Sequence, residues 1–171
     1  VYICTGCGIG EALDIDKLSE VAKEESVGIV KTHPFLCSKE GEELLKQDIA
    51  EGVNTLVIAA CSRRVNFDIF RFDGCIVDRV NLREQVVWSH PSTKNSEDGI
   101  DHVQMMAEDY LKMGIIKVQK ITLPEPYKLE AFCRKILVIG GGIAGISAAL
   151  DAAKAGYEVT IVEKEGSIGG Y

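Results

Sequence analysis

The sequence lacks the charge patterns that nucleic-acid-binding and membrane-surface proteins depend on. Its 171 residues carry 19 Lys and Arg against 26 Asp and Glu, which gives a net charge of −7. A nucleic-acid-binding domain normally has a basic patch, and attraction to an anionic membrane surface needs a run of basic residues. The acidic balance therefore predicts a protein that does not bind nucleic acid and has no polybasic membrane anchor.

A long hydrophobic run and a signal peptide are also missing. The longest nearly apolar run, residues 136–150, has 15 residues and contains four glycines, whereas a membrane-spanning helix needs roughly 18 or more. The segment Val1-Tyr2-Ile3-Cys4 has no basic region of the kind that opens a signal peptide. We therefore expect a cytoplasmic protein without direct membrane insertion.

Proline is scarce, with four residues, but six cysteines are present. A hydrophobic fraction of 46% is too high for a disordered chain, so we expect a folded protein. Structural disulfides are rare in the cytoplasm, where thiols are kept reduced. The cysteines therefore favour metal or redox chemistry over disulfide bonds.

Short β-branched runs alternate with amphipathic stretches in the first part of the chain. The alternation predicts strands at residues 1–4, 27–31, 55–60 and 75–80, and helices at 14–25, 38–51 and 96–113. Such an order is typical of βαβ units, whose strands form a parallel sheet covered by helices. The sequence therefore predicts the α/β class, with a parallel-sheet N-terminal domain over residues 1–122.

The pattern changes after this domain. The segment 123–127, Leu-Pro-Glu-Pro-Tyr, cannot continue a helix, so residues 123–133 are predicted to be a linker. Residues 134–171 are predicted to form strand 135–139, a glycine turn, helix 143–155 and strand 158–162, the first βαβ unit of a Rossmann-like FAD-binding domain. One βαβ unit lacks the strands of a closed core, so we expect an N-terminal fragment of a longer protein, inactive by itself.

A glycine-rich hexapeptide, residues 140–145, lies between the predicted strand and helix of this second unit. In dinucleotide-binding proteins the first glycine permits a tight turn, the second admits the pyrophosphate and the third allows close helix packing. An acidic residue about 20 positions further on binds the ribose. Here Glu163 is in that position, and a Gly-Gly pair follows it, which favours FAD over NAD. The candidate FAD-binding residues are Gly140, Gly142, Ile143, Ala144, Gly145, Glu163, Lys164, Gly169 and Gly170.

Four cysteines lie at or just beyond the carboxyl ends of predicted strands: Cys4, Cys7, Cys37 and Cys61. In a parallel sheet these ends meet at one edge, where ligands bind. Four thiolates suit a [4Fe–4S] cluster or a structural zinc ion. Arg63 and Arg64 are candidates to offset the negative charge of a cluster.

A third possibility is a redox-active dithiol formed by Cys4 and Cys7. In such motifs a helix begins at the first cysteine, whereas here the glycines at 6, 8 and 10 are expected to delay helix onset to about Asp14. Cys75 and Cys133 are expected to be ordinary residues. The segment 81–85, Asn-Leu-Arg-Glu-Gln, and the following Trp88 are expected either to line the site or to cap the domain.

The sequence resembles the HdrA family, the flavin and iron–sulfur subunits of heterodisulfide reductases. The resemblance rests on Ile3-Cys4, Leu36-Cys37-Ser38, Ala59-Ala60-Cys61-Ser62, Asn81-Leu82-Arg83-Glu84-Gln85 and the glycine fingerprint. The segments 4–10 and 32–37 look closer to one branch, the HdrA-like B subunits of quinone-interacting membrane-bound oxidoreductase complexes. Many family members have a cysteine in place of Val86 and begin with a tighter Cys-X-Cys, so a cluster here is expected to need both Cys4 and Cys7.

The resemblance implies an oxidoreductase subunit that contains FAD in a thioredoxin-reductase-like domain together with iron–sulfur clusters. Such subunits transfer electrons between the flavin and the clusters in anaerobic energy metabolism. The implied partners are other subunits of the complex, which can attach the protein to a membrane, with a homodimer as a further option. The alternative functions are an FAD-dependent thiol–disulfide oxidoreductase that uses Cys4 and Cys7, and a zinc-stabilised docking module.

Overall fold

The computed structural model describes residues 1–125, 127–129 and 132–170, and the chain forms two units, Val1–Pro124 and Glu125–Tyr171. The first unit contains β1 (Tyr2–Cys4), α1 (Ile9–Ala12), α2 (Ile15–Glu24), β2 (Lys31–His33), α3 (Lys39–Ala50), β3 (Thr55–Ala60), β4 (Ile76–Asn81) and α4 (His102–Lys120). The second contains β5 (Lys135–Ile139), α5 (Ile143–Lys154) and β6 (Glu158–Val162). The predicted linker 123–133 includes residues 126, 130 and 131, which lie outside the described residues, and it stays a prediction.

The first unit is built on a four-stranded parallel sheet in the order β2-β1-β3-β4. This arrangement confirms the predicted α/β class. β3 is apolar at every position after Thr55 because helices or loops cover both of its faces, and Leu56 to Ala60 are all buried. The order of strands reverses between β1 and β3, since the chain first adds β2 on one side of β1 and then β3 on the other.

Side-chain caps start the three longer helices of the first unit. Asp14 accepts hydrogen bonds from the N–H groups of the first turn of α2, Ser38 does so for α3, and Asp101 does so for α4. These caps satisfy donors that have no partner inside a helix. Among the helices in the described residues, none has the length and apolar character that a bilayer crossing requires.

The predicted helix at 96–113 is wrong at both ends, because α4 spans His102–Lys120. Residues before Asp101 form turns in which Ser96 and Asp98 bond to each other and to Ile100. Gly114 does not end the helix. A Cβ at Gly114 would lie 2.4 Å from Val80 Cγ2, so the glycine lets α4 pack directly on the sheet.

The predicted second strand, 27–31, differs from the observed one, Lys31–His33. The position of β2 follows from its pairing with the short β1, in which Tyr2 is opposite Lys31 and Cys4 is opposite His33. Ile29 O accepts a hydrogen bond from the Val1 amino group at 2.7 Å, but the paired register begins only at Lys31. Val27 instead closes the end of α2, where its N–H donates to Ala22 O at 3.2 Å.

The expected delay of helix onset to Asp14 is also wrong. The four-residue α1 begins at Ile9, directly after Gly8, and buries the Ile9 side chain. A separate helix, α2, then begins at Ile15. Helix onset is therefore earlier than predicted, but it still follows Cys4 and Cys7 instead of beginning at the first of them.

The second unit is a single parallel β5–α5–β6 motif. β5 and β6 pair in register from Lys135 opposite Glu158 to Ile139 opposite Val162. The two predicted strands are confirmed with their bounds, and the predicted helix is confirmed to within one residue of its end.

Candidate cofactor sites

The two buried cysteines lie at the centre of the carboxyl edge of the sheet. Cys4 is the last residue of β1, and Cys61 directly follows β3, its neighbour in the sheet. Because the strand order reverses between these two strands, a crevice opens beyond their ends. Ligands of open parallel sheets bind in such a crevice.

All four predicted cysteine ligands line one narrow cleft at this edge: Cys4, Cys7, Cys37 and Cys61. The cleft has a volume of about 20 Å³, which is room for about one water molecule. Cys4 and Cys61 are buried, whereas Cys7 and Cys37 are exposed on loops, and all are free thiols. Within the described residues, no three ligating side chains are close enough to hold a metal ion as they stand. A cluster in this cleft therefore requires movement of the loops that hold the exposed cysteines.

Close backbone packing holds the Cys4–Cys7 turn against the segment that leads to Cys37. A Cβ at Gly6 would lie 2.1 Å from Pro34 O, so only glycine fits there. The Cys4 thiol lies 3.5 Å from the same oxygen. Cys7 has a φ of 55°, a left-handed conformation that costs a non-glycine residue on the order of 1 kcal/mol. Backbone strain of this kind is concentrated at functional sites.

Cys37 lies in the turn between β2 and α3, directly before the Ser38 cap. His33 orders the start of this turn, because its Nδ1 accepts the Phe35 N–H at 3.1 Å. The ring of Phe35 then lines the cleft beside the thiols. His33 thus acts as a structural residue of the loop.

Arg79 on β4 provides the closest positive charge to Cys61. Its Nη2 donates to Cys61 Sγ at 2.9 Å and to Cys61 O at 3.1 Å. Burial raises the pKa of the Cys61 thiol, and the charges of Arg79 and Arg83 offset part of that rise. Without a metal, Cys61 is therefore a protonated thiol at neutral pH.

Arg83 brings a second guanidinium group to the cleft. It lies in a π-helical turn, Arg83–Val87, that follows β4. Burial lowers the pKa of Arg83, but contacts with Glu84 and with the Cys7 thiol outweigh this and raise it. Its guanidinium carbon also lies 4.6 Å from the centre of the exposed Trp88 ring. Single π-helical turns are frequent at functional sites.

Glu84 ties this turn to the end of β3. Its Oε1 lies 2.7 Å from Arg83 Nη2, and its Oε2 accepts the Ser62 N–H at 2.7 Å. Burial alone would raise the pKa of Glu84, but these two contacts hold it below its ordinary value. The segment 81–85 therefore lines the site through Arg83, while its neighbour Val86 is fully buried in the core.

The structure corrects the expected role of Arg63 and Arg64. Arg63 forms an ion pair with Asp78, and both arginines line a separate, larger cavity beside β4. The charges that face the thiols come instead from Arg83, in the segment 81–85 that was expected to line the site or cap the domain, and from Arg79, which the sequence did not single out. For Arg79 the available signal was a charged pair, Asp78-Arg79, between the apolar residues of β4.

The two remaining cysteines are not among the residues that line the cleft. Cys75 is half-buried at the start of β4, beside Val77 in a different cavity. Cys133 is exposed and belongs to the second unit. Both positions suit the ordinary role that was expected for them.

In the second unit, the glycine loop brings β5 and α5 into direct contact. A Cβ at Gly145 would lie 1.9 Å from Gly140 O, so the third glycine is required by the packing of helix on strand. Gly142 is different, because a Cβ there would meet no atom within 4 Å. The protein itself does not need a glycine at 142, and the open space lies at the N-terminus of α5.

The first turn of α5 offers unpartnered donors to this open space. Gly142 is the N-cap and has no side chain to accept a hydrogen bond, and Ile146 is the first residue whose N–H reaches back into the helix. The N–H groups of Ile143, Ala144 and Gly145 therefore have no acceptor within the helix. Together with the helix dipole they form an anion site suited to a pyrophosphate.

Glu163 lies beside the glycine loop at the end of β6. Its Oε2 accepts the Gly141 N–H at 2.6 Å, and its Oε1 accepts the N–H groups of Lys164 and Glu165 at 2.8 and 3.0 Å. Backbone donors from Glu165 and Gly141 lower the pKa of Glu163, so it is a carboxylate at neutral pH. A carboxylate at this point can accept hydrogen bonds from the hydroxyl groups of a ribose.

The Gly-Gly pair folds back onto the first fingerprint. The Gly169 N–H donates to Gly141 O at 2.7 Å, and Gly169 forms a parallel bridge with Gly142. The φ angles of Gly169 and Gly170 are 124° and 74°, which side chains at these positions would disfavour. Lys164 lies beside the loop with an exposed side chain.

Comparison with known proteins adds two findings. Residues 135–171 match the family model of FAD dependent oxidoreductases, which supports FAD as the dinucleotide of the second unit. Along 99% of its length the chain is also similar to larger proteins. They are a heterodisulfide reductase A-subunit-like protein of Archaeoglobus profundus (39% identity), the A subunit of the ferredoxin:CoB-CoM heterodisulfide reductase of Methanosarcina mazei (37%) and an iron-sulfur A subunit of the CoB--CoM heterodisulfide reductase of Methanopyrus kandleri (34%). The chain covers 25%, 22% and 26% of these relatives, so it spans about a quarter of their length.

Proposed function

We infer that this chain belongs to an HdrA-like protein, because identities of 31–39% along 99% of its length support that family. We propose that the complete protein is an oxidoreductase subunit that transfers electrons between FAD and iron–sulfur clusters in anaerobic energy metabolism. The finer assignment, to the B subunit of a quinone-interacting membrane-bound complex, rests on the segments 4–10 and 32–37.

The proposed cluster is a [4Fe–4S] centre held by Cys4, Cys7, Cys37 and Cys61. The observation that carries this proposal is that all four thiols line one cleft with no acid among the residues around them. Arg83 lines the same cleft, and Arg79 donates to the Cys61 sulfur. Arg79 is buried, and its Nε has no hydrogen-bond partner among the described residues. A buried cation of this kind is stabilised when a negatively charged cluster occupies the cleft.

The proposed FAD site uses the glycine loop and the start of α5. Gly142 leaves open space for the pyrophosphate, and the N–H groups of Ile143, Ala144 and Gly145 donate to its oxygens. Glu163 accepts hydrogen bonds from the ribose hydroxyls while its bond to the Gly141 N–H fixes the carboxylate beside the loop. FAD exchanges electron pairs and a cluster exchanges single electrons, so a protein that holds both can convert one into the other.

The cluster assignment can be tested on the chain itself by anaerobic reconstitution with iron and sulfide. We expect about four irons and four sulfides per chain, with a brown visible absorption. Cys61→Ser should abolish iron binding, because Cys61 is fixed at the end of β3. The matched controls Cys75→Ser and Cys133→Ser should leave the iron content unchanged.

Two outcomes would redirect the proposal. Stoichiometric zinc without iron under the same conditions would favour a zinc-stabilised docking module. Equal loss of iron from all three cysteine variants would show that the carboxyl edge of the sheet does not distinguish ligands from other cysteines. Aerobic purification would not be a fair test, because exposed clusters are easily lost.

A thiol–disulfide oxidoreductase remains the second candidate, favoured by one observation. Cys7 is exposed, and α1 begins two residues after it, which is closer to the dithiol than the sequence predicted. This function requires reversible formation of a disulfide between Cys4 and Cys7. Alkylation of the oxidised chain followed by mass spectrometry would detect that bond, and its absence would exclude the candidate.

Partner subunits and the cellular compartment complete the proposal. The similar proteins are subunits by name, so we propose that this protein also acts with other subunits. Any attachment to a membrane would be through those subunits. All six cysteines are free, which suits the reducing cytoplasm. Self-association is a further prediction, which the molar mass of the full-length protein in solution would test.

A further inference from the structure

Arg79 is a buried cation without a carboxylate partner. The residue is 8% exposed, and no ion pair in the described residues involves it. Its neighbour in sequence, Asp78, pairs with Arg63 and Lys117 instead. The Glu84 carboxylate acts on Arg79 through its charge, but its ion pair is with Arg83. A buried cation compensated only in this way is costly, so a further negative charge in the cleft would stabilise it.

Two residues of the cysteine cleft, Cys61 and Phe70, are in contact with Arg79, which also bonds to Val65 in the loop between them. Nη2 donates to the thiol and to the carbonyl oxygen of Cys61. Nη1 donates to Val65 O at 2.7 Å, and the guanidinium carbon lies 4.3 Å from the centre of the Phe70 ring. Phe70 and Asn66 line the cleft, so Arg79 fastens the loop between β3 and β4 over the thiols.

The strand register explains this position. On β4, Arg79 lies opposite Ile58 of β3. Ile58 is three residues before Cys61 in the sequence. The long side chain of Arg79 therefore extends from β4 to the Cys61 sulfur beyond the end of β3. Its N–H groups point to a cysteine sulfur, and hydrogen bonds to ligand sulfurs and local charge are the factors by which a protein sets a cluster's reduction potential.

We propose that Arg79 is a positioning residue that raises the reduction potential of the cluster by placing a positive charge and a hydrogen bond on the Cys61 sulfur. This inference rests on the proposed function. One-electron reduction adds a negative charge to the cluster while no bond forms or breaks. A nearby cation stabilises the reduced form more than the oxidised form, so the potential rises.

The test uses the reconstituted chain in a redox titration with dithionite, followed by electron paramagnetic resonance. Dithionite is oxidised, and the cluster takes up one electron. In Arg79→Gln we expect the equilibrium to shift at least tenfold toward the oxidised cluster, a fall of about 59 mV for a one-electron couple. Arg79→Lys keeps the positive charge but lacks the guanidinium group that donates to the sulfur. The reduction potential of the cluster should therefore fall less in this variant than in Arg79→Gln.

Arg64→Gln is the matched control, because Arg64 is exposed and lines a cavity whose described lining contains no cysteine. The cluster in Arg64→Gln should have the same reduction potential as the cluster in the wild type. Equal potentials in the wild type and Arg79→Gln would overturn this inference alone. A wild-type chain that assembles no cluster would overturn the proposed function and this inference with it. If Arg79→Gln does not fold, Arg79→Met replaces it as the variant that removes the charge, and a wild-type potential in that variant would overturn the inference.

Discussion

Two glycines of the same loop should respond to substitution in opposite ways. Gly145→Ala places a Cβ 1.9 Å from Gly140 O. Because real contacts of this type are no closer than 3.0 Å, β5 and α5 must separate by about 1 Å in an otherwise close-packed motif. Overpacking of this size costs about 1–3 kcal/mol or more of stability. FAD binding then falls only because the loop is displaced.

Gly142→Ala should leave the fold almost unchanged. The backbone angles of Gly142, φ −73° and ψ −178°, suit any residue, and the added methyl group meets nothing within 4 Å. The loss of a glycine N-cap and the gain from a stiffer unfolded chain nearly cancel, so stability should change by less than about 1 kcal/mol. A pyrophosphate at the start of α5 would collide with the methyl group. A steric cost of about 1–3 kcal/mol would weaken FAD binding roughly 5- to 150-fold.

The assay compares both variants in the full-length protein. Thermal unfolding without FAD measures stability, and isothermal titration measures affinity for FAD. We expect Gly142→Ala to lose affinity at unchanged stability, and Gly142→Val to abolish binding. Wild-type affinity in Gly142→Ala, or a loss of stability as large as that of Gly145→Ala, would refute the assignment of Gly142 to the pyrophosphate.

Three further predictions concern the first unit. Gly6→Ala would push a Cβ to within 2.1 Å of Pro34 O and displace the turn that carries the cysteines, so iron content after reconstitution should fall. Gly114→Ala would bring a Cβ to 2.4 Å from Val80 Cγ2, and urea unfolding should show a loss of about 1–3 kcal/mol while iron binding is retained. Burial alone would raise the pKa of Asp48, but hydrogen bonds from its neighbours hold it below its ordinary value. This carboxylate therefore stabilises the fold above its unfolded pKa of about 3.9, and the contribution is lost as the pH falls through the lower folded pKa. Asp48→Asn should lower stability at neutral pH and weaken its dependence on pH in acid.

Each of these predictions has a control. Gly28→Ala is the match for Gly6→Ala, since a Cβ at Gly28 meets nothing within 4 Å, and it should keep the full iron content. Loss of iron from Gly114→Ala would mean that α4 supports the cleft directly. For Asp48→Asn, an acid unfolding profile parallel to the wild type would contradict the assigned role. The partners of Asp48 are Tyr2 and Lys31, whose contacts measure 2.8 and 2.6 Å.

The parts of this protein that depend on neighbouring residues in the chain were predictable from the sequence. The continuous apolar run of β3, the caps Asp14 and Ser38 and the glycine loop after β5 each have local causes, namely burial, donor satisfaction and tight-turn geometry. The same local causes placed Cys61 at a strand end.

Features that depend on pairing between distant segments required the tertiary structure. The register of β2 on β1 shifted the second strand to Lys31–His33, and the fit of Gly114 against Val80 carried α4 seven residues beyond its predicted end. Such contacts leave no periodic signal in the sequence.

The cleft itself shows the same division. The sequence determined which four thiols are available and that their strands end in parallel. Only the order β2-β1-β3-β4 and the register of Arg79 against Ile58 decided which charges face those thiols. The physical reason is that a one-residue change of register would turn Arg79 to the other face of the sheet, away from Cys61, without any change in the local preference of either strand.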